Sequence, residues 1–150
     1  YIEAADARRL PKEVKDVIDQ ANARGVIPKG SDSFVDEQLK IASGRIATDR
    51  AELPALERDA NGAAATYRTV VAAGDAFRSY GDHAKAAGFY QKGLTLAGAD
   101  RNLVLTRLGI ALIGAGDLAG AREALAQVEG TRMPVAKLWA AYAAQQAKGG

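Results

Sequence analysis

The sequence predicts an all-α fold built from helical hairpins, and three observations support this prediction. Apolar residues make up 48% of the 150 residues but aromatic residues only 6%, a balance that favours closely packed helices over strands. Prolines stand only at positions 11, 28, 54 and 134, which leaves long stretches free of helix breakers. From about Ala64 the chain also repeats itself at an offset of 35 residues, a spacing typical of helical-hairpin arrays.

The first segment is predicted to contain two short helices. Residues 1–9 have a helical pattern, with Ile2 and Ala5 on one side, although this stretch is too short to be stable alone. Residues 12–24 form an amphipathic pattern that includes Val14 and Ile18, with Pro11 suited to the first turn and Gly25 to the end. The glycines and proline of residues 25–31 then predict a loop between helices rather than a phosphate-binding loop.

Residues 33–61 are predicted to form two helices separated by a proline. Ser33 is the expected N-cap, followed by acids that favour the positive end of a helix dipole. The apolar spacing then predicts a helix over about 33–50. Pro54 is expected to break or kink the chain before a shorter helix over about 53–61, which Asn61-Gly62 would end.

The internal repeat encodes two helical hairpins. Its matched positions are Ala73-Gly74 with Leu108-Gly109, Phe77 with Leu112, Gly81-Asp82 with Gly116-Asp117, Ala86 with Ala121, and Tyr90 with Leu125. A glycine in the left-handed conformation can end the first helix of a hairpin, and the aspartate after it can cap the second. Small residues where the helices cross would let their axes approach, with Tyr90 and Leu125 among the residues that fill the space.

This pattern of a small residue, glycine, an aromatic three positions later, Gly-Asp, alanine and a second aromatic resembles the tetratricopeptide repeat. The resemblance covers residues 67 to about 130, although Val70 and Leu105 stand where the family has an early tryptophan. It implies a right-handed helical-hairpin solenoid. Residues 1–62 would form degenerate hairpins, with Arg9 at a turn-glycine position, and residues 63–150 two regular hairpins followed by a capping helix.

The predicted capping helix begins at Pro134. Val135, Leu138, Trp139 and Tyr142 form its apolar face, and the two aromatic side chains are expected to close the core. The arrangement resembles the carboxy-terminal ends of long bacterial repeat proteins, several of which are exported, so the resemblance favours an exported location over a cytoplasmic one. The chain begins at Tyr1 rather than Met, and its true start is expected to lie upstream.

The sequence predicts no catalytic, cofactor-binding or metal-binding residues. Cysteine is absent, and the only histidine, His83, has no second ligand of matched type nearby in the sequence. The glycines at 114, 116 and 120 do not have dinucleotide-binding spacing. The basic residues are scattered rather than concentrated, which disfavours nucleic acid, and no apolar run is long enough to span a bilayer.

The resemblance instead implies a surface that binds a protein or peptide through the first helix of each hairpin. Val71 and Asp75 stand where some relatives have a lysine and an asparagine that grip a terminal carboxylate, so a different ligand is expected. Arginines among apolar residues favour an acidic or amphipathic segment. The predicted groove residues are Arg68, Val71, Asp75, Arg78, Arg107, Ile110 and Lys137. The alternative is a structural end-piece of a longer array that acts in self-association, while an enzyme would need a catalytic group that the sequence does not suggest.

Overall fold

The computed structural model describes residues 6–8 and 10–149, which form helices and connecting turns with no strand among them. The predicted all-α class is therefore confirmed. In chain order the helices are α1 (Pro11–Ala23), α2 (Ser33–Asn61), α3 (Tyr67–Ser79), α4 (His83–Leu94), α5 (Arg101–Gly114), α6 (Leu118–Ala126), a short 3₁₀ helix (Gly130–Arg132) and α7 (Met133–Gly149). None of these described helices has an apolar stretch long enough to cross a lipid bilayer.

The chain divides into two compact units, Tyr1–Leu53 and Pro54–Gly150. In the first unit, α1 confirms the helix predicted over 12–24. Pro11 stands in its first turn, and Val14 and Ile18 are buried in a small core with Ala7, Val35 and Ala42. Gly25 follows the helix with a φ of +69°, a conformation that costs glycine little, and the Val26 N–H closes the turn on the Ala21 carbonyl at 3.0 Å.

Most of the helix predicted over 1–9 lies outside the described residues, including Ile2, Ala5 and Arg9. Residues 6–8, which are described, form a turn rather than a helix. The Asp6 carboxylate accepts the Arg8 N–H at 3.0 Å, and the φ of Asp6 is +46°. A short polar side chain that bonds to its own backbone in this way competes with helix formation.

The N-cap of α2 is Asp32, so the prediction that Ser33 caps this helix is wrong. One carboxylate oxygen of Asp32 accepts the N–H groups of Phe34 and Val35 at 2.9 and 3.2 Å. Ser33 is instead the first helical residue. Asp and Ser are about equally good N-caps, so the local sequence does not decide between neighbours.

The predicted break at Pro54 is also wrong, because α2 continues through this residue to Asn61. An interior proline lacks an N–H donor and typically costs a helix about 3 kcal/mol. Packing on either side offsets that cost: Ala42 is fully buried in the first unit, and Ala60 is fully buried in the second. The predicted end is confirmed, since the Gly62 N–H closes on the Arg58 carbonyl at 2.9 Å.

In the second unit, the two predicted hairpins have matching corners. Gly81 and Gly116 have φ values of +85° and +84°, and each lies between two helices rather than inside one. The Asp82 carboxylate accepts the Lys85 N–H at 3.1 Å, and the Asp117 carboxylate accepts the Gly120 N–H at 2.9 Å. The Gly-Asp pair therefore ends one helix and caps the next at both corners, as predicted.

The two helices of each hairpin approach most closely at the matched glycines. A Cβ atom added to Gly74 would lie 2.6 Å from the Tyr90 ring, and one added to Gly109 would lie 2.4 Å from Leu125 Cγ. Ala86 and Ala121 are fully buried. The predicted small residues at the crossings, filled by Tyr90 and Leu125, are thus confirmed. Each helix from α3 to α7 packs against the next, and α5 also packs against α7.

The last helix, α7, buries a different face from the one predicted. Ala136 and Ala143 are almost completely buried, whereas Leu138 and Tyr142 are 72% and 45% exposed. The prediction that Tyr142 closes the core is therefore wrong. Small side chains seven residues apart, two helical turns, let α7 approach α5 and α6 closely, and this close approach leaves the large side chains outside.

The close crossings predict opposite effects for two glycine substitutions. We expect Gly109→Ala to lower the free energy of unfolding by about 1–3 kcal/mol, because its methyl group must displace Leu125 from a packed site. Gly88→Ala is the matched control: it lies within α4 with open space around it, and alanine there should add about 0.4–1 kcal/mol. Urea unfolding followed by circular dichroism measures both, and equal effects would contradict the tight crossing.

Candidate protein-binding surface

The structure places the seven predicted groove residues in three different environments. Arg68 on α3 and Lys137 on α7 are exposed, while Asp75, Arg78, Arg107 and Ile110 are half-buried. Val71 is only 6% exposed and lies beside Gly93 of α4, within the core of the second unit. Its side chain therefore offers no surface to a partner.

Asp75 connects three helices of the second unit. One oxygen of its carboxylate accepts the Tyr90 hydroxyl proton from α4 at 2.6 Å. The other lies 2.8 Å from Arg107 Nη1 of α5. Because Asp75 belongs to α3, this single side chain joins the first hairpin internally and links it to the second.

The Tyr90 hydroxyl is held in its protonated form. Burial raises the pKa of Tyr90 above its ordinary value, and the hydrogen bond to the Asp75 carboxylate and the negative charge there raise it further. The Arg78 guanidinium acts on the same pKa in the opposite direction, but more weakly. The Tyr90 hydroxyl therefore remains a hydrogen-bond donor to Asp75 throughout the physiological pH range.

These contacts separate the predicted cationic residues into two groups. Arg107 is paired with Asp75, and Arg78 lies against the Tyr90 hydroxyl with its Nε atom buried. Arg68 and Lys137 form no ion pair with any described residue. Arg68 and Lys137 are consequently the groove cations whose charge a partner can meet without breaking an internal contact.

Helix α5 contacts both α3 and α7. The Arg107–Asp75 ion pair joins α3 to α5, and α5 packs against α7. At the 35-residue offset, Ala143 of α7 aligns with Leu108 and Ala73, and all three are buried. The match is partial, because the buried Ala136 aligns with Arg101 and Thr66, which are exposed.

The same register shows which positions face outward on these helices. Leu138 aligns with Leu103 and Arg68, and Tyr142 aligns with Arg107 and Ala72. Arg68, Ala72, Leu138 and Tyr142 are exposed, and the two α5 residues are half-buried. These aligned positions are accessible to solvent on all three helices, and we call them together the first-helix surface.

The second helix α4 makes internal contacts with the end of α2. Lys85 Nζ lies 3.1 Å from Glu57 Oε2 and 4.6 Å from the centre of the Phe77 ring. Lys92 Nζ donates to the Ala60 carbonyl at 2.6 Å. Both lysines of α4 are therefore engaged within the second unit, in contrast to the exposed Arg68 and Lys137.

The only histidine of the chain, His83, packs against the end of α5. Among the described residues, no three histidine, aspartate or glutamate side chains come together as a metal site. The His83 ring packs against Gly114, where an added Cβ atom would lie 2.5 Å from it. His83 Nδ1 is buried without a hydrogen-bond partner among the described residues. The histidine thus has a packing position at the end of α5.

The first unit contains an open depression beside α2. It is lined by Arg8, Asp36, Glu37, Lys40, Ile41, Gly44 and Arg45. Both basic and acidic side chains line it, so no single sign of ligand charge is favoured. The first-helix surface in the second unit is the better-defined candidate because solvent-accessible positions align there on three helices.

Sequence reasoning missed two features of this surface. It did not pair Asp75 with Arg107, because these residues belong to different hairpins and no local spacing relates them. It also assigned Leu138 and Tyr142 to the core. The buried Ala136 and Ala143, seven residues apart, are the sequence signal that could have identified the other face of α7.

Comparison with known proteins identifies no relative of this chain. No protein-family model matches it, and neither a curated protein nor a solved structure shows significant similarity.

The Asp75–Tyr90 contact predicts a specific dependence of stability on alkaline pH. A raised pKa in the folded state means that above about pH 10, where unfolded tyrosine ionises, the folded chain binds more protons than the unfolded chain. The contribution of the Tyr90 proton to the free energy of unfolding is therefore complete below that pH and is lost as the pH rises above it. Tyr90→Phe removes this component, so its unfolding free energy should fall less steeply than that of the wild type.

The same variant should be less stable at neutral pH by about 1 kcal/mol, because Asp75 loses a hydrogen bond. Urea unfolding at pH 7 and at several values above about pH 10 measures both effects. Parallel pH profiles for the two proteins would show that the Tyr90 proton is not bound more tightly in the folded state.

Proposed function

We propose that this chain is a non-catalytic binding module that resembles the tetratricopeptide repeat and holds a protein or peptide segment on its first-helix surface. In the proposed arrangement the hairpins stack as a right-handed solenoid, so that α3, α5 and α7 line the same side. The partner is bound, not chemically changed.

Solvent-accessible positions that align on three helices support this proposal. Arg68 and Ala72 on α3, and Leu138 and Tyr142 on α7, are exposed, and the aligned Leu103 and Arg107 of α5 are half-buried. A surface that combines apolar contact area with the unpaired cation of Arg68 suits a ligand that is itself apolar along one side and acidic along another. The engaged lysines of α4 make the opposite side of the hairpins a poorer candidate.

The structure changes which substitutions should test the surface. Arg107→Glu would place a carboxylate beside Asp75, at the position of a 2.8 Å ion pair, and would destabilise the hairpins themselves. Arg78 likewise lies against Tyr90. Arg68→Glu and Leu138→Ser change exposed side chains instead, so a loss of binding in these variants reports on the surface rather than on folding.

The proposal predicts where an independently selected ligand will bind. Peptides selected from a random display library against the isotopically labelled chain should perturb the backbone amide NMR signals of α3, α5 and α7, with smaller effects on α4 and α6. Arg68→Glu and Leu138→Ser should each weaken binding about tenfold, a typical effect at an interface anchor. Val26→Ser is the matched control, because Val26 is 72% exposed, the same fraction as Leu138, but lies in the loop after α1.

Perturbations concentrated on α4 and α6, or equal binding by the Leu138 and Val26 variants, would assign the partner to a different surface. Failure to select any peptide after repeated rounds would count against a peptide-binding function. It would then favour the structural alternative, in which these helices serve self-association.

A further inference from the structure

Asn61 and Gly62 form the only Asn-Gly pair of the chain. The other two asparagines, Asn22 and Asn102, are followed by alanine and leucine. An asparagine deamidates most readily when glycine follows it, because the backbone nitrogen of the next residue attacks the carboxamide and glycine has no side chain to hinder the approach. The pair is therefore a position at which the chain can change its own covalent structure.

This reaction needs water as its only co-reactant. The Gly62 nitrogen bonds to Asn61 Cγ, the Cγ–Nδ2 bond breaks, and the side-chain nitrogen leaves as ammonia with the proton that the Gly62 nitrogen has lost. Water then opens the resulting cyclic succinimide at either of its carbonyl carbons. One opening gives aspartate at position 61. The other gives isoaspartate, in which the main chain runs through the former side chain.

In the folded chain, hydrogen bonds at the end of α2 hold the attacking nitrogen. Asn61 is the last residue of α2, and the Gly62 N–H donates to the Arg58 carbonyl at 2.9 Å and to the Asp59 carbonyl at 3.2 Å. An N–H group bound in this way loses its proton less readily. Ring closure also needs rotation of Asn61 away from the helical ψ angle. The last turn of α2 must therefore open before the reaction begins.

The Asn61 carboxamide itself is open to attack. Asn61 and Gly62 are both exposed, and the Asn61 side chain forms no hydrogen bond with a described residue. Asn102 Oδ1, in contrast, accepts the Glu129 N–H at 2.9 Å. Gly62 does not have a positive φ, so the backbone at this position does not require glycine. The turn is thus the main restraint on the reaction at Asn61.

A contact from α4 holds this last turn closed. Lys92 Nζ donates to the Ala60 carbonyl at 2.6 Å, and Ala60 is fully buried. A hydrogen bond from a charged donor is stronger than one between neutral groups. Because the contact is made by the residue immediately before Asn61, its strength affects how often the turn opens and releases the Gly62 nitrogen.

We propose that Asn61 is a spontaneous deamidation site whose rate is set by local opening of the last turn of α2, and that Lys92 restrains this opening. The ends of helices open at a smaller free energy than that needed to unfold a whole unit. The inference is separate from the proposed binding function, because it involves neither the first-helix surface nor a partner.

Deamidation should weaken the turn that restrains it. A carboxylate at position 61 stands at the negative end of the α2 dipole, and Asp59 is a like charge nearby in the same turn. In isoaspartate the main chain gains a carbon atom, which moves the Gly62 N–H away from the Arg58 carbonyl. The deamidated chain, separated by anion exchange, should therefore unfold at a lower concentration of guanidinium chloride. An unchanged midpoint would show that this turn does not stabilise the second unit.

Peptide mapping by mass spectrometry tests the site directly. After incubation of the full chain at mildly alkaline pH, conversion should occur at Asn61 and not at Asn22 or Asn102. In the chain unfolded by guanidinium chloride, the rate at Asn61 should be at least about tenfold higher, because both hydrogen bonds of Gly62 are lost. Equal rates in the folded and unfolded chains would overturn the proposal, and so would a folded chain that never converts.

A substitution on α4 tests the restraint without changing the reactive pair. Lys92→Met keeps much of the aliphatic side chain but removes the bond to the Ala60 carbonyl, so the rate at Asn61 should rise about fivefold. Lys40→Met is the matched control, because Lys40 is an exposed lysine of α2 in the first unit, and this variant should react like the wild type. Equal rates in the two variants would show that Lys92 does not restrain the turn.

The dependence on denaturant distinguishes local opening from unfolding of the whole unit, and this measurement needs no variant. Local opening exposes little surface, so the rate at Asn61 should change little at guanidinium chloride concentrations well below the unfolding midpoint. A steep rise in proportion to the fraction of unfolded chain would overturn the proposal of a local opening.

Discussion

The closest approach of two helices in each hairpin is the constraint on which the second unit depends. At Gly74 and Gly109 there is no room for even one additional carbon atom, because Tyr90 and Leu125 occupy the space that a side chain would need. This contact fixes how far apart the two helices lie and which of their faces are buried. Once those faces are buried, the outward positions of α3 and α5 are determined as well.

The two hairpins satisfy this constraint with different chemistry. In the second hairpin, Leu125 fills the crossing with an aliphatic side chain. In the first, the Tyr90 ring fills it and the hydroxyl extends beyond the glycine to Asp75, which also pairs with Arg107. The polar end of the tyrosine therefore converts a packing contact within one hairpin into a link to the next. That link is a direct side-chain contact between α3 and α5.

Local features were predicted correctly where one residue is clearly better suited than its neighbours to a backbone conformation or a helix cap. Gly81 and Gly116 adopt positive φ angles, which few other residues adopt at low cost. The aspartates after them cap the following helices because the next residues, His83 and Leu118, are poorer caps. The predictions at Pro54, Ser33 and Tyr142 were wrong, because the local preference of each residue is outweighed by packing or by a neighbouring residue. Buried contacts on both sides outweigh the proline, Asp32 competes successfully with its neighbour as a cap, and two alanines bring the opposite face of α7 inward.

The candidate surface was only partly accessible to sequence reasoning for the same reason. The repeat identified α3 and α5 as first helices, and hence Arg68 as an outward position. The burial of Val71 and the pairing of Arg107 with Asp75 arise between segments that are distant along the chain, so no local pattern contains them. The apolar pattern of α7 was visible in the sequence. Whether its large residues or its alanines face the core depends on how closely α7 packs against α5 and α6.

The most direct test of the whole account is a nuclear Overhauser measurement at the two crossings. The α protons of Gly74 should show cross-peaks to the Tyr90 ring protons, and those of Gly109 to the Leu125 methyl groups, since the heavy atoms at both sites are in contact. The amide pattern should also show α3 and α5 ending before Gly81 and Gly116. Absence of both sets of cross-peaks, with helical connectivity running through the two glycines, would contradict the hairpin account.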